Sequence, residues 1–144
     1  KIKINLNIYF MNIIQNNFET ISDERGDIIK IAKNVDVLRI ISKKGSIRAS
    51  HYHIHSSHLC SLLSGSMYYY ERDVGSDISP VRLYVKPREY FFTGNMKEHL
   101  MVFLEDSVFD CYSFGSRDKI DYENDVVRIS HNLEEIYNSN LILI

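Results

Sequence analysis

The chain has 144 residues, a net charge of −2 at pH 7, 44% hydrophobic residues and 25% charged residues. That is apolar material for one domain core, and it excludes a mainly disordered chain. The slight acidity gives no footing for general nucleic-acid binding and favours a small ligand or a protein partner.

In chain order, residues 1–10 alternate polar with apolar, with Ile2, Ile4, Leu6, Ile8 and Phe10 on one face. This period of two predicts a strand that covers an apolar surface or exchanges with a second copy, so a homodimer is expected. The alternation lacks the continuous apolar core of a leader segment, and no run approaches the roughly 20 apolar residues that cross a bilayer. No membrane partner is expected. A turn at Ser22–Gly26 precedes strands at Ile28–Ala32 and Val35–Ile41, and Lys43-Lys44-Gly45 turns the chain into a strand over Ser46–His53. Leu59–Leu63 and Met67–Glu71, joined by Ser64-Gly65-Ser66, read as a hairpin. Asp73–Pro80 carries Gly75, Ser76, Asp77 and Ser79 and reads as a loop. Strands follow at Val81–Val85, Glu89–Phe92, Leu100–Leu104 and Ser107–Phe114, with a turn at Thr93–Glu98. Gly115–Asp125 reads as a polar loop, Ser130 as the cap of a short helix running to Tyr137, and Leu141–Ile144 as an apolar tail. Short strands separated by turns predict an all-β fold of sandwich or jelly-roll type. We expect an N-terminal strand extension over 1–24, a barrel over 25–115, and a loop, short helix and tail over 116–144. Cys60 and Cys111 stand far apart on apolar stretches. They read as core thiols in a reducing compartment, and a cytoplasmic location is expected.

Chemistry concentrates in the histidines. His51, His53, His55 and His58 lie within eight residues, and His99 lies beyond them. His51 and His53 share a strand face, so their ring nitrogens can share one metal ion at about 2.0–2.1 Å. His58 begins the next strand and His99 opens a later one after a turn, so either can reach the same place. His55 has the same parity but lies past the strand end, at the rim, and His131 reads as a surface residue of the C-terminal helix.

Gly45-x5-His51-x-His53-x4-His58-x6-Gly65 resembles the first motif of the cupin superfamily. Pro87-Arg88-Glu89-Tyr90-Phe91-Phe92 followed by His99 resembles a degenerate second motif. The resemblance implies a double-stranded β-helix with a metal inside its mouth, and His51, His53 and His99 as imidazole ligands. His58 stands where most cupins have glutamate, so it is either a fourth ligand or a general base beside a three-histidine site. An all-imidazole set suits a divalent transition metal (Zn, Fe, Ni or Mn) and disfavours Mg or Ca, which want oxygen. A barrel without metal stays open as an alternative.

Ile47-Arg48-Ala49-Ser50-His51-Tyr52-His53 is similar to a stretch of the sugar-nucleotide cupins, the deoxyhexose ketoisomerases and dehydrorhamnose epimerases, with Ala49 replacing a glycine. That likeness implies a sugar or sugar-nucleotide substrate, with His51 as base and Arg48 holding an anionic group. On strict alternation Arg48 faces away from His51 unless the strand bulges. Tyr68 and Tyr70 share parity on the strand after Gly65, and one of them is expected at the cavity. Tyr70 is the candidate proton donor and Tyr68 the substrate contact. His51 cannot be ligand and base through one nitrogen. The leading expectation is a metal-binding cupin with isomerase or epimerase chemistry. A non-haem metal-dependent oxygenase and a non-catalytic sugar-binding module are the alternatives.

Overall fold

The computed structural model describes residues 19–30, 36–114 and 119–141. The expected strand over residues 2–10, the exchange resting on it, and the tail beyond Leu141 lie outside these residues. Eleven strands and two helices are present among the described residues. The strands are β1 (Glu19–Asp23), β2 (Gly26–Lys30), β3 (Val37–Ser42), β4 (Ile47–His53), β5 (Ser57–Ser64), β6 (Met67–Asp73), β7 (Val81–Val85), β8 (Tyr90–Thr93), β9 (Lys97–Phe103), β10 (Ser107–Phe114) and β11 (Val126–Arg128). Helix α1 covers Lys119–Asp125 and α2 covers Leu133–Leu141.

The strands form two antiparallel sheets in the orders β1-β2-β3-β10-β5-β8 and β11-β4-β9-β6-β7. Alternation sends one face of each sheet to a shared interior. Cys60, Leu62, Phe109 and Cys111 from the first sheet meet Met67, Tyr69, Met101 and Phe103 from the second. The two cysteines are buried core thiols, facing each other in the β5–β10 register without a disulfide. The outer face of the second sheet is covered by α2, where Leu133 buries fully against Tyr70 and Leu100. Asn132, rather than Ser130, caps this helix: its Oδ1 accepts from the Glu134 amide at 2.9 Å.

The predicted β5–β6 hairpin forms, and its turn demands glycine for two reasons. Gly65 has φ 84°, and a Cβ there would stand 2.2 Å from Ser107 Oγ and 2.5 Å from the Asp106 carbonyl oxygen. Gly65→Ala is expected to cost about 1–3 kcal/mol from backbone strain alone, with the clash in addition. A thermal melt should show a drop of several degrees, and an unchanged midpoint would contradict this reading.

Strand β4 carries the feature that shapes the site. Its pairing with β9 slips between Ala49 and His51, where Ala49 and Ser50 adopt φ of 67° and 62°. The extra residue of this bulge puts Arg48 opposite Met101 and His51 opposite His99, all on the inner face. Arg48 therefore turns inward, as the bulge alternative required. Because alanine is strained in a left-handed conformation, Ala49→Gly is expected to stabilise the fold by about 0.5–1 kcal/mol, the strain relieved less the added unfolded-state entropy. Denaturant unfolding reads this directly, and a loss of stability would show that the bulge is not strained at Ala49.

Candidate metal centre

Strands β4, β5 and β9 bring four imidazoles to one mouth of the barrel. The ring centroids of His51 lie 4.9 Å from His53 and 4.6 Å from His99, and those of His53 and His99 are 5.8 Å apart. One ring nitrogen from each of His51, His53 and His99 lies within 4.8 Å of the others. His58 stands beside them, its centroid 4.8 Å from His53 and 5.4 Å from His99. It is not among the three whose nitrogens converge. His53, His58 and His99 are buried, His51 is half-buried, and His55 is exposed at the rim.

Hydrogen bonds fix the tautomers of two of these rings. His99 Nδ1 lies 3.1 Å from the Lys97 carbonyl oxygen, which can only accept, so Nδ1 carries the proton. His53 Nδ1 lies 2.9 Å from Asp125 Oδ2 and donates to it in the same way. In both neutral rings the lone pair is then left on Nε2, the arrangement metal-ligating histidines commonly adopt. The donor set therefore fits a divalent transition-metal ion on His51, His53 and His99, and its softness disfavours Mg or Ca.

Asp125 joins the site without any signal of it in the sequence pattern. The polar stretch expected to be a loop over 115–125 instead holds α1 over Lys119–Asp125. Strand β11 follows and pairs with β4, setting Val126 opposite His53 and Arg128 opposite His51. Asp125 Oδ1 also accepts from the His55 amide at 2.6 Å, and both oxygens sit 3.3 Å from the Ser56 amide. Burial opposes the Asp125 charge, but bonds from Ser56, the His55 amide and His53 outweigh it and hold the carboxyl down at about 2. The same segment places the Tyr122 ring 6.5 Å from His51 and 5.9 Å from His53. The β-branched pair Val126-Val127 is the local signal for β11, though nothing in the sequence marks its docking on β4.

The imidazoles open into a cavity of about 790 Å³ running toward the β1–β2 hairpin. Among the described residues its walls carry Arg25, Lys30, Arg48 and Arg128 against one acid, Glu123, together with apolar Ile28, Leu38 and Ile40. Arg25 is paired with Asp23 and Arg128 with Glu123. Arg48 is buried, and its guanidinium donates to Ser42 Oγ at 2.7 Å and to the Ile41 carbonyl oxygen at 3.2 Å. Both acceptors are neutral. Among the described residues no carboxylate forms an ion pair with Arg48, and burial pushes its pKa below the usual arginine value.

The expected tyrosines lie elsewhere. Tyr68 and Tyr70 face outward, under α2, because the β6 residues facing the interior are Met67 and Tyr69. The Tyr70 hydroxyl is 3.5 Å from Glu134, and Arg82 stacks between Tyr68 and Tyr137 at 4.5 and 4.6 Å. Neither lines the cavity. Tyr69 is the inward tyrosine: its ring lies 6.4 Å from His99, and its hydroxyl donates to Glu71 at 2.7 Å and sits 2.7 Å from Thr93 Oγ1. Burial raises the Tyr69 pKa further above its ordinary value. His131 precedes α2 and bonds Glu98 at 2.8 Å on the outer face of the second sheet, away from the site.

Two antiparallel sheets closed on a histidine cluster at one mouth define a small β-barrel with a three-imidazole centre. The chain has the cupin fold. No family model matches the sequence, and no curated protein matches it. Solved structures do. The chain is similar to the capsular polysaccharide assembling protein CapF from Staphylococcus aureus, with TM-score 0.71 and 20% identity over 81% of this chain and 33% of that one. It is similar to the QdtA 3,4-ketoisomerase from Thermoanaerobacterium thermosaccharolyticum in complex with TDP, with TM-score 0.54 and 20% identity over 85% and 88% of the two chains. The Drosophila melanogaster CENP-C cupin domain also matches, with TM-score 0.56 and 12% identity over 67% and 75%. The chain spans about a third of the length of CapF. No helix among the described residues is long and apolar enough to cross a membrane.

Proposed function

We propose that this protein is a metal-dependent cupin that moves a proton beside the carbonyl of an anionic sugar, with a sugar nucleotide as the favoured substrate class. The observation that carries this reading is the pairing of two features in one cavity: three converging imidazoles, two with their tautomers fixed, and a buried Arg48 whose guanidinium, among the described residues, bonds neutral acceptors and no carboxylate. Asp23 and Asp27 act on Arg48 only through space, and a buried cation with no carboxylate in contact is costly and is best explained by an anion that arrives with the ligand. Similarity to a capsular polysaccharide assembling protein supports a carbohydrate ligand and similarity to a ketoisomerase bound to TDP supports a nucleotide on it, although the fold itself hosts unrelated functions.

His51, His53 and His99 would hold the ion. When bound, it supplies Lewis acidity at the substrate carbonyl oxygen. With His51 committed as a ligand, the base passes to His58, a buried imidazole within 5.4 Å, centroid to centroid, of His53 and His99. His58 takes the proton from the carbon next to the carbonyl, and the C–H electron pair becomes the enol double bond. The Tyr122 phenol, on the cavity wall, donates to the oxygen as it gains charge. Return of a proton to the opposite face of the same carbon inverts it. Protonation of the former carbonyl carbon, with loss of the neighbouring hydroxyl proton, moves the keto group instead. Both outcomes conserve atoms and electrons. Arg48 holds the anionic end of the substrate and plays no part in proton transfer.

The test is solvent exchange. A nucleotide-linked 4-keto-deoxyhexose incubated in D2O with metal-loaded protein should gain deuterium next to the carbonyl, detected by NMR, and chelation should stop it. Oxygen consumption dependent on added Fe(II), without exchange, would replace this reading with an oxygenase. Tight sugar-nucleotide binding with neither exchange nor turnover would replace it with a binding module.

A further inference from the structure

We propose that Asp125 is the outer carboxylate of the metal centre, so that α1 and β11, which follow the barrel in sequence, complete a site the barrel alone leaves deficient in charge. The inference rests on the metal reading above. Three neutral imidazoles leave the charge of a divalent ion uncompensated, and the position where a first-motif carboxylate is expected holds His58. The cavity wall brings no relief, since Arg48 faces the same space and Glu123 is taken up by its pairing with Arg128. Asp125 is buried and lies one hydrogen bond from a ligand ring, 2.9 Å from His53 Nδ1. A carboxylate in that place fixes the tautomer, sets the ring plane and makes Nε2 a stronger donor. His99 has only the Lys97 carbonyl in the equivalent position, which orients the ring but brings no charge.

The chain around Asp125 is built to hold it there. The Ile54 amide donates to the Asp125 carbonyl oxygen at 2.9 Å, and the Ile129 amide donates to the Ser50 carbonyl oxygen at 3.0 Å. Between these bonds β11 pairs with β4 directly behind His51 and His53. The carboxylate also gathers the amides of His55 and Ser56, the turn between β4 and β5. One residue thus ties the first ligand strand, the strand that bears His58 and the segment beyond the barrel. Asp125 touches neither substrate nor ion, so it is a positioning residue.

A purely structural role would require only an acceptor for those amides, which asparagine also offers. Asp125→Asn therefore separates charge from shape. The apo wild type and the variant are compared by circular dichroism melts, then titrated with Zn2+ against a competing chelator and with Co2+ by visible absorption. The inference predicts similar melts, a 10–100-fold weaker Zn2+ affinity in the variant, and a shifted Co2+ ligand-field band. Affinities within twofold would overturn it. As a check that needs no variant, histidine 15N NMR on wild type should keep the His53 proton on Nδ1 before and after Zn2+ addition, with the shift change confined to Nε2. Zn2+ on Nδ1 would overturn the assignment of Asp125. A wild type that binds neither ion would instead overturn the metal reading itself, and a wild type that binds while the variant binds equally well overturns only this inference.

Discussion

His58→Gln is expected to leave metal loading intact while proton exchange beside the carbonyl falls by about 10²–10⁴, the usual loss when a general base is removed. The reason is geometric. His58 is buried in the same mouth as the ligand rings, yet the nitrogens that converge belong to His51, His53 and His99. Its position on β5, opposite Thr93 of β8, sets it on the wall of the site facing His53 and His99. Glutamine keeps a polar side chain of similar reach but has no group that can accept and return a proton near neutral pH. Elemental analysis and the D2O exchange assay on the same preparation give both numbers. If metal content falls in step with activity, His58 is a fourth ligand and the base must be sought elsewhere.

Arg48→Met is expected to change stability and binding in opposite directions. Arg48 is 6% exposed and, among the described residues, its guanidinium donates to Ser42 and the Ile41 carbonyl, so the unliganded protein carries a buried cation with no carboxylate in ion-pair contact there. Replacing a poorly compensated buried ion by an apolar side chain of similar length is often neutral or stabilising by about 1–4 kcal/mol. Thermal melts of the unliganded variant should therefore match or exceed wild type. The same change removes the buried partner of the ligand's anion, which typically costs about 2–5 kcal/mol of binding. Calorimetric titration with TDP should show a loss of 30-fold or more. Loss of stability with unchanged TDP affinity would mean that Arg48 serves the fold, closing the bulge at Ala49–Ser50, and that the anion sits elsewhere.

The parts of this site that are legible in the sequence are those governed by local period. The His51-x-His53 spacing puts both rings on one face of any strand, and Gly65 marks a turn no other residue accommodates, so spacing and turn chemistry suffice to place β4, β5 and β6. His99 follows a turn at the start of a strand, where a side chain reaches the barrel mouth. What stays hidden depends on register or on distant chain. Tyr68, Tyr69 and Tyr70 are consecutive, and parity alone cannot tell which of them faces inward; the pairing of β6 with β9 decides for Tyr69. Arg48 turns inward only because a one-residue bulge breaks the alternation, and two non-glycine residues at positive φ are no signal for it. Asp125 lies 72 residues from His53 in a polar stretch whose helix is seven residues long, so nothing local marks it. Position in the fold, not residue type, makes it part of the site.

The metal reading places one ion on His51, His53 and His99. Its most direct test is the metal content, by elemental analysis, of protein purified and then reloaded with Zn2+, Fe2+, Ni2+ or Mn2+, for wild type, His53→Ala and His99→Ala. Wild type should hold close to one ion per chain and both variants should lose it, with all three proteins folded. Folded wild type that retains no ion under any loading, or variants that keep theirs, would contradict it.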